Sequence, residues 1–281
     1  MTADIKTMKL YHQVGRVFNE LNALGIGPDD PLEVETLCAF DQYHYLGTEA
    51  VDEAIEKLKI DASMDVLEVG GGIGGPSRYL AKTAGSYVTA LELQSDLNET
   101  ADHLTERCGL SNRVNHVCGD FLKNPLGDTT YDALVSWLTF LHIPDRKRLY
   151  HQCFKALKPG AGIYVEDYFE RSPLTIAQRA ALSEQVYCDY VPTMAQYNQD
   201  LAHAGFEHVE LIDVSPSWTE FVTARLEAFK ATHERNLALH GTEVTEGLME
   251  FYSTIVELFQ SGNLGGICFV AYKPKEPLQK S

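Results

Sequence analysis

The sequence lacks several features that mark other classes of protein. Its six cysteines lie far apart and form no C-x-x-C pair, so neither a disulfide framework nor a zinc site is expected. No apolar run reaches the roughly 18 residues needed to span a bilayer. The first residues, MTADIKTMKLYHQ, also lack the apolar core of a signal peptide. We therefore expect a cytoplasmic protein with reduced thiols, no metal and no integral membrane segment.

Basic residues are few as well. Twenty-three Lys and Arg stand against forty Asp and Glu, which gives a net charge of −17. A protein this acidic repels phosphate backbones, and no cluster of Lys and Arg provides a local exception. Nucleic acid is therefore not expected as a partner, whereas a small molecule is. The sequence carries no signal for an oligomeric state.

The most informative segment present is a glycine run that follows a short apolar stretch, VLEVGGGIGG at 66–75. A strand that ends in glycines brings backbone N–H groups close to a ligand, where a Cβ would collide. The dinucleotide fingerprint G-x-G-x-x-G fits Gly70, Gly72 and Gly75. The acidic-x-G-x-G-x-G pattern of S-adenosylmethionine (SAM) sites fits four residues: Glu68, Gly70, Gly72 and Gly74. The glycines alone leave both cofactors open.

Three acidic residues at predicted strand ends bear on that choice. Glu92, about 20 residues beyond Gly72, is placed to accept the hydroxyls of a ribose in either cofactor, or is simply a solvated strand end. Asp120 with Phe121 is placed to accept the adenine amino group and cover its ring, although an Asp there also caps turns. Glu68 would repel a pyrophosphate but favour a sulfonium and an ammonium group. This repulsion favours SAM over a nicotinamide cofactor.

Strand-like and helix-like segments alternate from about residue 64, which predicts an α/β, Rossmann-like, doubly wound sheet. Residues 1–50 predict a helical N-terminal lid, and 51–281 a single domain with helical insertions at about 170–205 and 217–261. The last two strands are expected at the sheet edge, with the final one antiparallel. Seven strands are predicted: 65–70, 87–93, 114–120, 131–137, 161–169, 206–216 and 265–274.

Five motifs in order resemble those of class I SAM-dependent methyltransferases, over about residues 45–170. They are EVGGGIG (68–74), LEL (91–93), GDF (119–121), YDALVSWLTFLHIPD (131–145) and LKPGAGIYVEDYF (157–169). The resemblance implies the seven-stranded methyltransferase fold and SAM as cofactor. It implies that nine residues contact the cofactor: Glu68, Gly70, Gly72, Gly74, Glu92, Leu93, Asp120, Phe121 and Trp137.

Within that family the chain resembles the small-molecule, ubiquinone- and sterol-methyltransferase-like group, and in it the sarcosine/dimethylglycine and phosphoethanolamine N-methyltransferases. The resemblance places His142 of FLH as the catalytic histidine, with Tyr11 as its partner; His44 is a further catalytic candidate. The family's aspartate four residues before that histidine is Leu138 here, and VYCDYVP has no arginine to hold a phosphate. A phosphomonoester acceptor is therefore not expected. Five tyrosines are predicted to bind the acceptor: Tyr43, Tyr45, Tyr168, Tyr187 and Tyr190.

Purely structural roles are the alternative for these residues. His142 can serve packing alone, and the tyrosines can simply bury the helical cap. The leading hypothesis is methyl transfer from SAM to a small molecule, most of all to an amine nitrogen. Methylation of oxygen or carbon in a phenolic, quinone or sterol-like acceptor is the alternative within the class. A nicotinamide-dependent oxidoreductase and a non-catalytic SAM-binding partner are the alternatives from other classes.

Overall fold

The computed structural model describes residues 13–123 and 126–275, and in them a seven-stranded sheet flanked by helices. Tyr11 lies outside the described residues. The strands are β1 Asp65–Val69, β2 Tyr87–Glu92, β3 Val114–Cys118, β4 Tyr131–Trp137, β5 Leu157–Glu170, β6 Glu207–Asp213 and β7 Leu264–Tyr272. The predicted α/β class and the number of strands are confirmed.

The helices of the described ranges are α1 Arg16–Ala23, α2 Val34–Leu37, α3 Thr48–Leu58, α4 Gly75–Ala84, α5 Ser95–Arg107, α6 Arg146–Ala156, α7 Ile176–Val186, α8 Met194–Ala204, α9 Ser215–Ala231, α10 His233–His240 and α11 Thr242–Gln260. Two of them, α7 and α8, start at capping boxes in which Thr175 and Thr193 accept backbone N–H groups. None of these helices is long and apolar enough to cross a membrane.

The strand order is β3-β2-β1-β4-β5-β7-β6, and the first five strands run parallel. The chain moves outward from β1 to β3 and then returns to β4 on the other side of β1. Such a switch point opens a crevice beyond the carboxyl ends of β1 and β4, where ligands bind in open α/β sheets. The fold therefore places Glu68 and the glycine run at the edge of that crevice.

One prediction about the sheet is wrong. β7 is antiparallel as expected, but it pairs with β5 on one side and β6 on the other, so β6 alone forms this edge. Every residue of β7 from Leu264 to Ala271 is buried, which an edge strand would not achieve. The continuous apolar run GGICFVA is typical of a strand covered on both faces.

The helical insertions form a cap that packs on one end of the sheet. The predicted helical region 217–261 is divided into α9, α10 and α11, and α9 packs along α11. A buried cluster joins these helices to α7 and to the end of β5, with Trp218 and Tyr168 among its members. The cap thus closes over the side of the crevice on which β4 ends.

Candidate active site

A cavity of about 530 Å³ lies over the switch point of the sheet. Its walls come from the ends of β1, β2 and β4, from the turn 140–142, from residues 41–44 and from the segment that follows α7. A volume of this size is typical of a cofactor site with room for a small second substrate. The candidate active site is therefore a single chamber shared by the core domain and its cap.

The glycine run lets three chain segments meet at this chamber. Gly70 has φ of +88°, and a Cβ there would overlap the side chain of Thr139. A Cβ on Gly75 would collide with the carbonyl oxygen of Asp41. Gly72, with φ of +52°, would point a Cβ into open space, because no atom lies within 4 Å of that position. This open cradle beside the cavity fits a ligand that approaches the backbone closely.

Glu92 ends β2 with its carboxylate held by backbone. It accepts the N–H groups of Gly72 at 2.9 Å and Gln94 at 2.8 Å, and burial raises its pKa. Each carboxylate oxygen keeps a lone pair for a further donor. Glu92 thus holds the glycine loop by a hydrogen bond and also offers two acceptor oxygens suited to ribose hydroxyls.

Asp120 and Phe121 both line the cavity wall, as do Leu93 and Trp137. Asp120 pairs with Lys123 at 2.8 Å and accepts the N–H of Leu122. Phe121 and Leu93 add apolar surface to the wall, which suits contact with a purine ring. These residues line one cavity, and their contact with the cofactor stays a prediction.

Glu68 lines the cavity but is also tied to the helix behind it. Its carboxyl group is buried and accepts the hydroxyl of Ser77 in α4. Burial raises the pKa of Glu68 to about 7, which Ser77 and Arg78 only partly oppose. Near neutral pH its charge is therefore incomplete, and the electrostatic argument for SAM is weaker than the sequence indicated.

His142 lies in the turn after β4 and its ring is oriented by the cap. Its Nδ1 lies 3.2 Å from the carbonyl oxygen of Tyr187, the residue that ends α7 with φ of +56°. A carbonyl only accepts, so Nδ1 carries the proton and Nε2 carries the lone pair. Burial, with a smaller effect from Arg146, lowers the pKa of His142 to about 4. The imidazole is neutral at ordinary working pH.

His44 lines the same cavity with a different orientation. Its Nε2 donates to the carbonyl oxygen of Gly47 at 2.9 Å, and its ring lies 5.5 Å from that of Trp137. Burial lowers the pKa of His44 to about 4. His44 and His142 therefore both present neutral rings to the chamber.

The five tyrosines predicted for the acceptor separate into two groups. Tyr43 and Tyr187 line the cavity. Tyr45 and Tyr168 lie outside its lining, where their hydroxyl groups are 2.5 Å apart within the buried core of the cap. Tyr190 is also outside the lining, and the centre of its ring lies 5.9 Å from the guanidinium carbon of Arg146. Periodicity alone does not separate these groups, because an aromatic residue suits a cavity wall and a core equally.

Among the acidic residues of the lining, two were missed in the sequence, Asp41 and Asp189. Asp189 is exposed and accepts the hydroxyl of Ser183 at 2.6 Å. It stands in VYCDYVP, the segment that has no arginine to hold a phosphate. With these two, five carboxyl residues line the described wall of the cavity, and no Lys or Arg does. The five are Asp41, Glu68, Glu92, Asp120 and Asp189.

Comparison with known proteins agrees with this geometry. Residues 66–160 match the family described as "Methyltransferase domain". Phosphoethanolamine N-methyltransferase 1 of Zea mays is 28% identical over 81% of this chain, and glycine/sarcosine/dimethylglycine N-methyltransferase of Actinopolyspora halophila is 28% identical over 57%. The chain spans only 45% of the first protein and 28% of the second.

Solved structures share the fold. Phosphoethanolamine N-methyltransferase 2 of Haemonchus contortus, in complex with phosphomonomethylethanolamine and S-adenosylhomocysteine, superposes with a TM-score of 0.79. The match covers 93% of this chain and 58% of that one, at 20% identity. Residues 66–160 therefore form a methyltransferase domain, and SAM is its cofactor, as the sequence predicted. The open cradle at Gly72 and the carboxylate of Glu92 fit that cofactor.

The role of Glu92 can be tested directly. We expect Glu92→Gln to weaken binding of S-adenosylhomocysteine by about tenfold, because a charged acceptor of two hydroxyl groups is lost. Isothermal titration calorimetry measures this change, with Glu99→Gln on the exposed face of α5 as the matched control. Equal affinities in the two variants would remove Glu92 from the cofactor site.

Proposed function

We propose that this protein transfers the methyl group of SAM to the nitrogen of a small amine. The observation that carries the proposal is the exposed carboxylate of Asp189 in a cavity wall that has no Lys or Arg among its described members. Of the other acidic lining residues, Asp41 and Asp120 are paired with Arg78 and Lys123, and Glu68 is only partly charged near neutral pH. A protonated amine entering such a chamber gains favourable Coulomb energy. A neutral phenol or sterol would gain none of it.

The cavity wall has further features that suit an amine. Asp189 lines it together with Tyr43, Tyr187 and His142. Aromatic faces attract ammonium and methylammonium groups, and an exposed carboxylate raises their local concentration. Relatives named as N-methyltransferases of amine substrates support the same acceptor chemistry.

The reaction requires an amine lone pair aligned with the methyl group that SAM supplies. His142 is neutral, and its Nδ1–H is committed to the carbonyl oxygen of Tyr187, so Nε2 is placed to accept a hydrogen bond from the amine and orient its lone pair. A bond from His44 to Gly47 fixes another part of the cavity wall. The cap excludes water and limits the orientations of the acceptor, which lowers the entropic cost of alignment.

We expect Asp189→Asn to raise KM for the amine about two- to fivefold, because an exposed carboxylate in contact with water contributes only a modest attraction. The value of kcat and the affinity for S-adenosylhomocysteine should stay unchanged. Initial-rate kinetics at low and high salt measure the effect, which should shrink as salt is added. Glu184→Gln in α7 is the matched control; an equal KM in both variants would contradict the role of Asp189.

The proposed function itself is tested by incubating the protein with labelled SAM and a panel of acceptors. The panel includes glycine derivatives, ethanolamine bases, phenols and sterols. Label on an amine supports the proposal, whereas label confined to phenols or sterols contradicts it.

A cytoplasmic location is part of the same proposal, and is supported by six cysteines that form no disulfide.

A further inference from the structure

A buried ion pair lies close to the turn that carries His142. Arg146 Nη1 lies 3.8 Å from Asp167 Oδ2, and the two side chains are 5% and 0% exposed. Neither residue belongs to the described lining of the cavity. Because desolvation offsets much of the attraction between buried charges, such a pair adds little net stability. What it fixes is the arrangement of the chain segments packed against it.

The carboxylate of Asp167 links the sheet to that turn. Its Oδ1 accepts the backbone N–H of Tyr168 in β5 at 2.7 Å. The backbone N–H of Leu141, the residue immediately before His142, also interacts with this carboxylate. Burial raises the pKa of Asp167 to about 6, while Arg146 and these two N–H groups act in the opposite direction. Asp167 is therefore charged at pH 8 and holds the backbone of the turn 140–142 against β5.

The guanidinium of Arg146 extends the contact to the segment that follows α7. Arg146 is the first residue of α6 and comes four positions after His142. Its guanidinium carbon lies 5.9 Å from the ring centre of Tyr190 and 5.8 Å from that of Tyr197 in α8. Tyr190 follows Tyr187 by three residues, on the same segment. The ion pair thus packs on both segments that the hydrogen bond between His142 and Tyr187 joins.

The tautomer of His142 depends on the distance between these two segments. Its Nδ1 lies 3.2 Å from the carbonyl oxygen of Tyr187, at the long end of the hydrogen-bonding range. An increase of about 0.5 Å would break this contact. The proton of the neutral ring would then no longer be held on Nδ1, because the partner of one ring nitrogen sets the tautomer. Nε2 would carry that proton part of the time, and could not then accept a hydrogen bond from an amine.

We propose that Asp167 and Arg146 are positioning residues that act through His142. The pair holds the turn 140–142 and the segment after α7 at a fixed distance, and so keeps the proton of His142 on Nδ1 and the lone pair on Nε2. This inference rests on the proposed amine methylation, in which Nε2 orients the acceptor. It deepens that function by assigning two residues that affect the reaction without lining the cavity.

The kinetic test uses Asp167→Asn, which keeps the shape of the side chain and removes its charge. At pH 8 this variant should lose about tenfold in kcat, with the affinity for S-adenosylhomocysteine unchanged. In a His142→Ala background the same substitution should have little further effect on kcat, because residues that act through one group are not additive. A full tenfold loss in that background would overturn the proposal.

Two further variants separate positioning from stability. Glu166→Gln is the matched control, because Glu166 is a buried acid in the same strand, accepts the hydroxyl of Tyr164 at 2.6 Å and faces the other side of the sheet. Its kcat should equal that of wild type. The double variant Asp167→Asn with Arg146→Met removes the uncompensated charge that Asp167→Asn leaves in the interior. Its kcat should stay about tenfold low even where its unfolding temperature recovers; recovery of both together would leave the pair a structural role.

A second measurement needs no turnover. Nitrogen NMR of the histidine rings at pH 8, with the His142 signals assigned by their loss in His142→Gln, reports which ring nitrogen carries the proton. Wild type and Glu166→Gln should show the proton of His142 on Nδ1, and Asp167→Asn a mixture of both tautomers. Failure to label any amine would refute the proposed function while this spectrum still decides the positioning role. A wild-type proton on Nε2, or an unchanged tautomer in Asp167→Asn, would refute the positioning role alone.

Discussion

A His142→Ala variant is expected to lose about 10- to 100-fold in kcat, because a hydrogen bond that orients the amine is lost. Binding of S-adenosylhomocysteine should change little, since the residues predicted to contact the cofactor lie at the glycine loop and at Glu92. The reason is geometric: the Nδ1–H bond to the carbonyl of Tyr187 leaves Nε2 as the acceptor for the amine N–H. Single-turnover kinetics and calorimetry separate the two effects.

His142→Gln distinguishes proton transfer from orientation. Glutamine can accept a hydrogen bond from the amine but cannot take its proton at working pH. Activity close to wild type in this variant would assign an orienting role, and activity close to wild type in His142→Ala would reduce the residue to packing. The pKa of about 4 also fixes the pH dependence. Protonation of His142 begins only well below pH 6, so the wild-type rate should show no acid limb near the ordinary imidazole value of about 6.5.

The cofactor end of the site could be predicted from the sequence because it depends on local pattern. Glu68, Glu92 and Asp120 each end a run of apolar residues, and parallel strands bring their carboxyl ends to one edge. The glycine run needs positive φ and close backbone approach, and both requirements follow from residue type alone. These constraints are short in range, so they can be read without knowledge of the tertiary fold.

The acceptor end could not be predicted in the same way, because long-range packing assembles it. Tyr43 and Tyr45 are two residues apart in one aromatic segment, yet one lines the cavity and the other is buried against Trp218. Arg225 lies some 180 residues from Tyr45 in sequence, and only the docking of α9 brings them together. The position of β7 inside the sheet could not be predicted for the same reason. Strand order depends on long-range pairing between strands rather than on local sequence pattern.

The N-terminal segment is expected to depend on one buried ion pair. Arg78 Nη2 donates to Asp41 Oδ2 at 2.9 Å, and both side chains are fully buried. Asp41→Asn should lower the free energy of unfolding by about 3–5 kcal/mol, because it leaves the charge of Arg78 uncompensated in the interior. Urea unfolding measures this loss. Glu210→Gln, which breaks the exposed pair with Lys57, is the control and should cost less than about 1 kcal/mol.

The double variant Asp41→Leu with Arg78→Met tests the cause of that loss. If the uncompensated charge is responsible, removal of both charges should recover most of the stability, whereas lost packing alone would make the double variant the least stable. The pair also bears on function, because the backbone of Asp41 packs against Gly75 and its neighbours Tyr43 and His44 line the cavity. Asp41→Asn should therefore weaken cofactor binding as well as folding. A variant that lost stability but bound S-adenosylhomocysteine with unchanged affinity would show that this segment holds the fold and not the site.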